Sequence, residues 1–256
     1  MDRTGSKEGF YVYGIIAVHQ RREFGPLGIG GRGDLVYTLP YRDLAAIVSR
    51  SPVVKYAVTR ENSLAHARVL ERAMQDATVL PVRFCTIAEQ ESVLVEKVLQ
   101  ARYQELSGLM HKMEGKIELG VRAMWTDLEA IFAELVEENR DIKAIKEQVC
   151  HEKSEQRKYA GKIHIGQLVQ RSLEEKKRRE ADALFEALKP LSIDWRRNQL
   201  YGDMNIINAA FLVEKTGELA FDEKILELEQ VYGKRKRIKY IGPVVPYNFV
   251  EIVIAW

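Results

Sequence analysis

At 256 residues the chain is long enough for one large or two ordinary domains, and its 46% hydrophobic content is ample for buried cores. Charged residues make up 30% of it yet leave a net charge of only +2, so the surface is densely charged and nearly balanced. That balance argues against nucleic acid or an acidic membrane as the main partner, since either calls for a basic excess over one face.

In chain order, Phe10 to Val18 is β-branched and aromatic and reads as a first strand, interrupted at Gly14. A polar, glycine-rich stretch from Gln20 to Asp34 follows and reads as a loop. Leu35 to Leu39 and Leu44 to Ser49 read as two short strands, or a strand and a tight turn, around Pro40. From Thr59 to Ala77 the apolar residues Leu64, Ala67, Leu70, Ala73, Met74 and Ala77 fall at helical intervals, with Thr59 as N-cap. Val79 to Phe84 returns as a strand, and Pro81, which cannot donate to a ladder, places it at an edge or a bulge. A helix from about Glu89 to Met113 is expected to close the first domain near Gly115.

Lys116 to Trp125 alternates apolar and polar residues, the pattern of a strand with one buried face. Thr126-Asp127-Leu128-Glu129 has the form of a capping box, with Thr126 as the capping residue. It opens a helix with apolar residues from Leu128 to Val149. A turn across His151 to Gly161 and a second helix from Lys162 to Leu188 complete a long antiparallel hairpin. The charged block Glu174 to Glu180 reads as a solvated helix face. Ile193 to Leu200 and Ile206 to Val213 read as strands, Phe221 to Tyr232 as a helix ended by Gly233, and Ile238 to Ile241 and Phe249 to Ile254 as closing strand material. The order strand, helices, strand, strand, helix, strand is the split βαβ, ferredoxin-like arrangement with an enlarged first crossover. The expected fold is therefore α+β: an N-terminal mixed α+β domain over residues 1–114, and a modified ferredoxin-like domain with a helical hairpin insertion over 115–256.

Chemistry-bearing residues are sparse. The glycines between Gly25 and Gly33 invite a phosphate-binding reading, but Gly28-Ile29-Gly30-Gly31-Arg32-Gly33 lacks a P-loop lysine and no helix pattern opens behind it. His66 flanks an apolar helix stripe and reads as a packed side chain, or as a general base were a carboxylate to meet it. The other histidines show no metal-ligand spacing. Cys85 and Cys150 have no metal or redox spacing and are expected to be reduced and buried. Lys234-Arg235-Lys236-Arg237 is a less compensated basic run, the basis of an RNA-binding reading. Met1 to Gly9 lacks the apolar run of a signal peptide, and no segment approaches the roughly 18 apolar residues that span a bilayer. The expected location is the cytoplasm, with no catalytic residue, cofactor or metal ligand assigned.

Two segments carry a resemblance. Thr78-Val79-Leu80-Pro81-Val82-Arg83-Phe84-Cys85-Thr86 and Gly242-Pro243-Val244-Val245-Pro246-Tyr247-Asn248-Phe249-Val250-Glu251-Ile252, together with His66, resemble the gas vesicle protein family of the L/F type. Members usually carry glycine after the phenylalanine matching Phe84, where this chain has Cys85, and often an aromatic in the segment matching Val244-Val245. The resemblance implies a minor structural component or assembly factor of gas vesicles, binding the hydrophobic shell subunit and other gas vesicle proteins, with no nucleic acid or membrane partner. Pro81 and Pro246 mark candidate sheet edges. Arg83, Phe84, Tyr247 and Phe249 join them as candidate partner contacts, although such residues also serve as ordinary core. The alternative is a nucleotide-responsive switch or enzyme using the loop 25–33 and His66.

Overall fold

Residues 7–254 are described in a computed structural model. Strand β1 (Glu8–Ile16) is buried at every position after its first, as its β-branched and aromatic composition demands. With β2 (Glu23–Gly25), β3 (Val36–Tyr41), β4 (Leu44–Pro52) and β5 (Val79–Ala88) it forms an antiparallel sheet in the order β2-β3-β4-β1-β5. Helix α1 (Arg60–Met74) begins where expected, the Thr59 hydroxyl accepting from the Asn62 N–H at 3.2 Å.

Both faces of this sheet are covered. Tyr11, Tyr13 and Ile16 of β1 pack with Val69, Leu70 and Ala73 of α1. Phe10, Val12 and Ile15 pack on the other face with Leu106, Met110 and Met113. The change from even to odd positions follows from a register break between Val12 and Gly14, because one extra residue moves every later side chain to the opposite face. Gly14 is required there: a Cβ would lie 2.8 Å from the Leu80 carbonyl oxygen and 2.8 Å from the Leu70 side chain.

The helix expected over 89–113 is broken. It runs as α2 (Glu91–Leu94), a π-helical stretch (Val95–Gln100) and α3 (Tyr103–Met113). Next comes β6 (Lys116–Trp125), whose apolar face is buried as the alternation predicts; the exception is Glu118, also buried.

The capping box is displaced by one residue. Asp127 caps α4 (Leu128–Glu138) by accepting from the Ala130 N–H at 3.0 Å, while the Thr126 hydroxyl donates to the carbonyls of Lys234 and Arg235. The expected single helix also stops at Asn139, whose side chain accepts from the N–H groups of Asp141 and Ile142 and so caps a separate α5 (Arg140–His151). The turn is shorter than expected, and α6 (Glu155–Leu188) runs for 34 residues, about 50 Å at 1.5 Å per residue. Strands β7 (Asp194–Arg197) and β8 (Asn205–Glu214), helix α7 (Glu218–Tyr232) and β9 (Lys236–Val244) complete the chain's regular elements. Gly233, at φ +51°, ends α7. The second sheet has the order β7-β8-β6-β9.

The strand expected over Phe249 to Ile254 is absent. Its backbone makes one bridge, Val82 with Ile252, because the carboxylate of Glu118 holds the preceding turn through the N–H and side-chain amide of Asn248 at 2.7 and 2.6 Å. Among the described residues no helix is long and apolar enough to cross a membrane. The chain divides into two compact units. The first holds the residues up to Leu119, Leu212–Lys215 and the stretch from Gly242 onward; the second holds Gly120–Phe211 and Thr216–Ile241.

Candidate partner-binding groove

The outermost strand of the first sheet is its least regular. The β1–β5 register runs from Ala88 to Thr86 and resumes at Pro81, so Val82, Arg83, Phe84 and Cys85 bulge out of the ladder opposite Tyr13 alone. Cys85 sits at φ +66°, a left-handed conformation that suits glycine and strains any residue with a Cβ. That conformation gives a physical reason for the glycine usual after Phe84 in the family resembled: a bulge turning this sharply is built most cheaply without a side chain.

Four polar contacts hold the bulge, one of them from the Thr86 hydroxyl to the Arg83 carbonyl at 2.7 Å. The Cys85 N–H donates to the Tyr11 hydroxyl at 2.9 Å, the Tyr56 N–H donates to the Cys85 sulfur at 3.2 Å, and the Arg83 N–H donates to the Ile252 carbonyl at 3.2 Å. The Tyr11 hydroxyl, which accepts from Cys85, also shares a hydrogen bond with Nδ1 of His66 at 3.0 Å, the donor being set by the imidazole tautomer. His66 is 5% exposed, ringed by Tyr11, Tyr13 and Phe84, and burial lowers its pKa to about 4. No carboxylate hydrogen-bonds to it among the described residues. It is a neutral, packed histidine, the plainer of the two sequence readings.

Beside the bulge lies a groove of about 430 Å³, mostly apolar, between α1, β5 and the C-terminal tail. Pro81, Arg83, Phe84 and Tyr247 line it, together with Val58, His66, Val250 and Glu251. A second recess of about 530 Å³ opens on the other flank of Arg83 and Phe84, bordered by Val53, Val54 and Ile254. Four of the six candidate contacts thus meet in one groove although about 160 residues of sequence separate Phe84 from Tyr247. Tyr247 is 40% exposed. Pro246 does not join them: it is buried and borders a different recess with Thr78 and Pro243. Phe249 is half-buried against the core beside α3. Sequence reasoning missed the Glu118–Asn248 clamp that presents Tyr247, because Glu118 falls at a polar position of the β6 alternation and reads as solvent-facing.

The other sequence candidates have different uses. In the glycine-rich loop the Ile29 N–H donates to the Tyr13 hydroxyl at 2.8 Å and the Gly28 N–H to the Asp34 carbonyl at 2.9 Å, and the loop leads into β3 instead of a helix. Those two amides are therefore spent internally. Cys85 is half-buried and Cys150, on α5, is exposed, so the expectation of two buried thiols fails for both, most clearly for Cys150.

The charged block of α6 is solvated at Glu174, Glu175, Arg178 and Arg179, but Lys176 and Glu180 turn inward. The Lys176 side chain is 6% exposed and pairs with Glu134 at 3.0 Å and Glu138 at 2.7 Å. Glu180 accepts from the Trp125 indole at 2.8 Å, from Arg235 at 2.7 Å and from Lys236 at 3.1 Å. Arg235 also holds Glu134 at 2.7 Å, and its hydrogen bonds bring the Glu134 pKa down to about 2. Burial alone would raise the Glu180 carboxyl; bonds from Arg235, Trp125 and Lys236 outweigh it and hold the group below the usual range. Two of the four residues in the basic run 234–237 are thereby neutralised, which removes the main support for an RNA-binding reading. Among the described residues no group of three histidines, cysteines or carboxylates converges as a metal site.

A family model described as "Gas vesicle synthesis protein GvpL/GvpF" matches residues 9–251. Gas vesicle protein F of Nostoc sp. is 28% identical over 246 residues, covering 95% of this chain and 98% of that protein. Gas vesicle protein F1 of Halobacterium salinarum is 28% identical over 251 residues, covering 97% and 95%. The crystal structure of the gas vesicle protein GvpF from Anabaena sp. superposes with a TM-score of 0.82 at 27% identity, covering 96% of this chain and 99% of that one.

Proposed function

The chain belongs to the gas vesicle synthesis protein GvpL/GvpF family, and from that premise we propose that it works by contact, as an assembly factor or minor structural component that binds the hydrophobic shell subunit while gas vesicles form in the cytoplasm. The observation that carries this reading is the apolar groove beside the bulged outer strand β5. An aggregation-prone subunit needs its apolar surface and open strand edges covered before it joins a wall. A strand edge flanked by an apolar groove offers backbone pairing and side-chain cover together. Pro81, Arg83, Phe84 and Tyr247 are the proposed contacts, with Pro246 and Phe249 supporting the tail that carries Tyr247. The chemistry is non-catalytic in this reading. We also propose the two-domain division 1–114 and 115–256, with the tail from Gly242 returning to pack with the first unit; the order β7-β8-β6-β9 supports a ferredoxin-like second domain.

Co-purification with the shell subunit tests the reading. Wild type is expected to retain the subunit, and Arg83→Glu combined with Tyr247→Ser to lose at least 10-fold of the binding while its thermal unfolding stays within about 2 °C, since both side chains reach solvent. Retention by the double variant at wild-type strength would remove the groove from the proposal. The nucleotide-switch alternative predicts a thermal shift with nucleotide that is lost in His66→Asn; the contact reading predicts no shift.

A further inference from the structure

Helix α7 has two apolar faces and only one is covered. Phe221, Ile225 and Leu228 turn inward and are buried, Phe221 packing on Phe211 with ring centroids 5.4 Å apart. On the opposite side Leu219 is 75% exposed and Leu226 58%. Singly exposed leucines are commonplace. Leu219 and Leu226 are seven residues apart, however, so at 100° per residue they lie within roughly 20° of each other and form one stripe along the helix. A helix apolar on both faces is normally buried on both.

The flanks of the stripe identify its occupant. Glu223 lies between the two leucines, Glu227 on one side, and Glu218, Asp222 and Glu229 on the other, against one basic residue, Lys224. Lys224 is already paired with Glu227 at 2.8 Å, and Asp222 accepts from the Tyr240 hydroxyl at 2.6 Å. Glu218, Glu223 and Glu229 have no ion pair among the described residues. An apolar stripe bordered by unpaired carboxylates repels nucleic acid, anionic lipid and a second copy of itself, because each would set like charges together. It matches a helix with an apolar seam and lysine or arginine on its borders, the arrangement by which facing helices choose partners.

We propose that the solvent face of α7, centred on Leu219, Glu223 and Leu226, docks a basic amphipathic helix of a partner protein. The docking is independent of the β5 groove, and its failure would leave the shell-subunit reading untouched.

The test uses the full chain and a labelled synthetic helix carrying leucine at heptad a and d positions and lysine elsewhere, with a twin in which glutamate replaces every lysine. Fluorescence anisotropy is expected to show binding of the lysine peptide, at least 10-fold weaker in Leu219→Ser/Leu226→Ser, at least 10-fold weaker in Glu223→Lys/Glu229→Lys, and weaker again as salt rises. The glutamate twin is expected not to bind. All four positions are exposed, so circular dichroism and thermal unfolding of the variants should match wild type; Leu226→Ser alone is the reserve should the leucine pair unfold. Equal binding of the two peptides, or unchanged affinity in the leucine variants, would overturn the proposal. Self-association of the wild type that disappears in Leu219→Ser/Leu226→Ser would also overturn it, by giving the face to a second copy.

Discussion

Around His66 the first unit buries its polar atoms as neutral partners, tyrosine, serine and an uncharged imidazole, whereas around Glu180 the second unit buries them as ions. Each solution has its own vulnerability. A neutral nest fails when one member is forced to charge; an ion cluster fails when one member is removed or neutralised. The difference teaches where acid and mutation should act first in this molecule.

Deleting an ion is the heaviest blow. Glu180→Ala leaves the Lys236 ammonium, 2% exposed, and the Trp125 indole without their shared acceptor, and is expected to destabilise the second unit by about 3–5 kcal/mol. Trp125 and Trp195 both lie in that unit, so with the third tryptophan replaced in a Trp256→Phe background, tryptophan fluorescence during urea unfolding reports the loss directly. A loss below about 1 kcal/mol would mean that the cluster is solvated.

Acid separates the two regions next. The folded pKa of His66, about 4, lies below its ordinary 6.5, so the unfolded chain binds the extra proton first. Its stabilisation is complete above pH 6.5 and fades as pH falls to 4, by roughly 3 kcal/mol in all. Glu134, moved from 4.5 to about 2, keeps its contribution until pH falls below 4.5. The first unit should therefore loosen between pH 6.5 and 4 while tryptophan fluorescence in the second stays native. In His66→Asn, which retains an acceptor for Tyr11, the pH 6.5 to 4 slope should vanish; a slope that persists would assign it to another group.

The smallest effect is a gain. Cys85→Gly relieves a left-handed residue and should stabilise the first unit by about 1 kcal/mol in thermal unfolding, less the weak bond from the Tyr56 N–H to sulfur. A destabilisation would show that the thiol contact outweighs the backbone strain.

What could be read from the sequence follows the same divide. Strands and helices set by one dominant local signal were legible: the aromatic and β-branched β1, the alternating β6, the Thr59 cap of α1 and the Gly233 stop of α7. Elements settled by distant partners were not. Thr126 looked like a cap until its hydroxyl found the Lys234 and Arg235 carbonyls, and Lys176 and Glu180 looked solvated like their neighbours because Glu134, Arg235 and Lys236 come from other elements. In the groove, Pro81, Arg83, Phe84 and Tyr247 could be named in advance, but the device that gathers them could not. The bulge depends on a single left-handed residue, and the tail is held by Glu118 meeting Asn248 across 130 residues of sequence.

Amide hydrogen exchange of the full chain, with and without the purified shell subunit, tests contact at the groove most directly. The account predicts added protection confined to the first unit, over Val79 to Ala88 of β5 and Val245 to Ile252 of the tail, with His66 remaining neutral at pH 7. Protection confined to the second unit, or none anywhere while the subunit demonstrably binds, would contradict it.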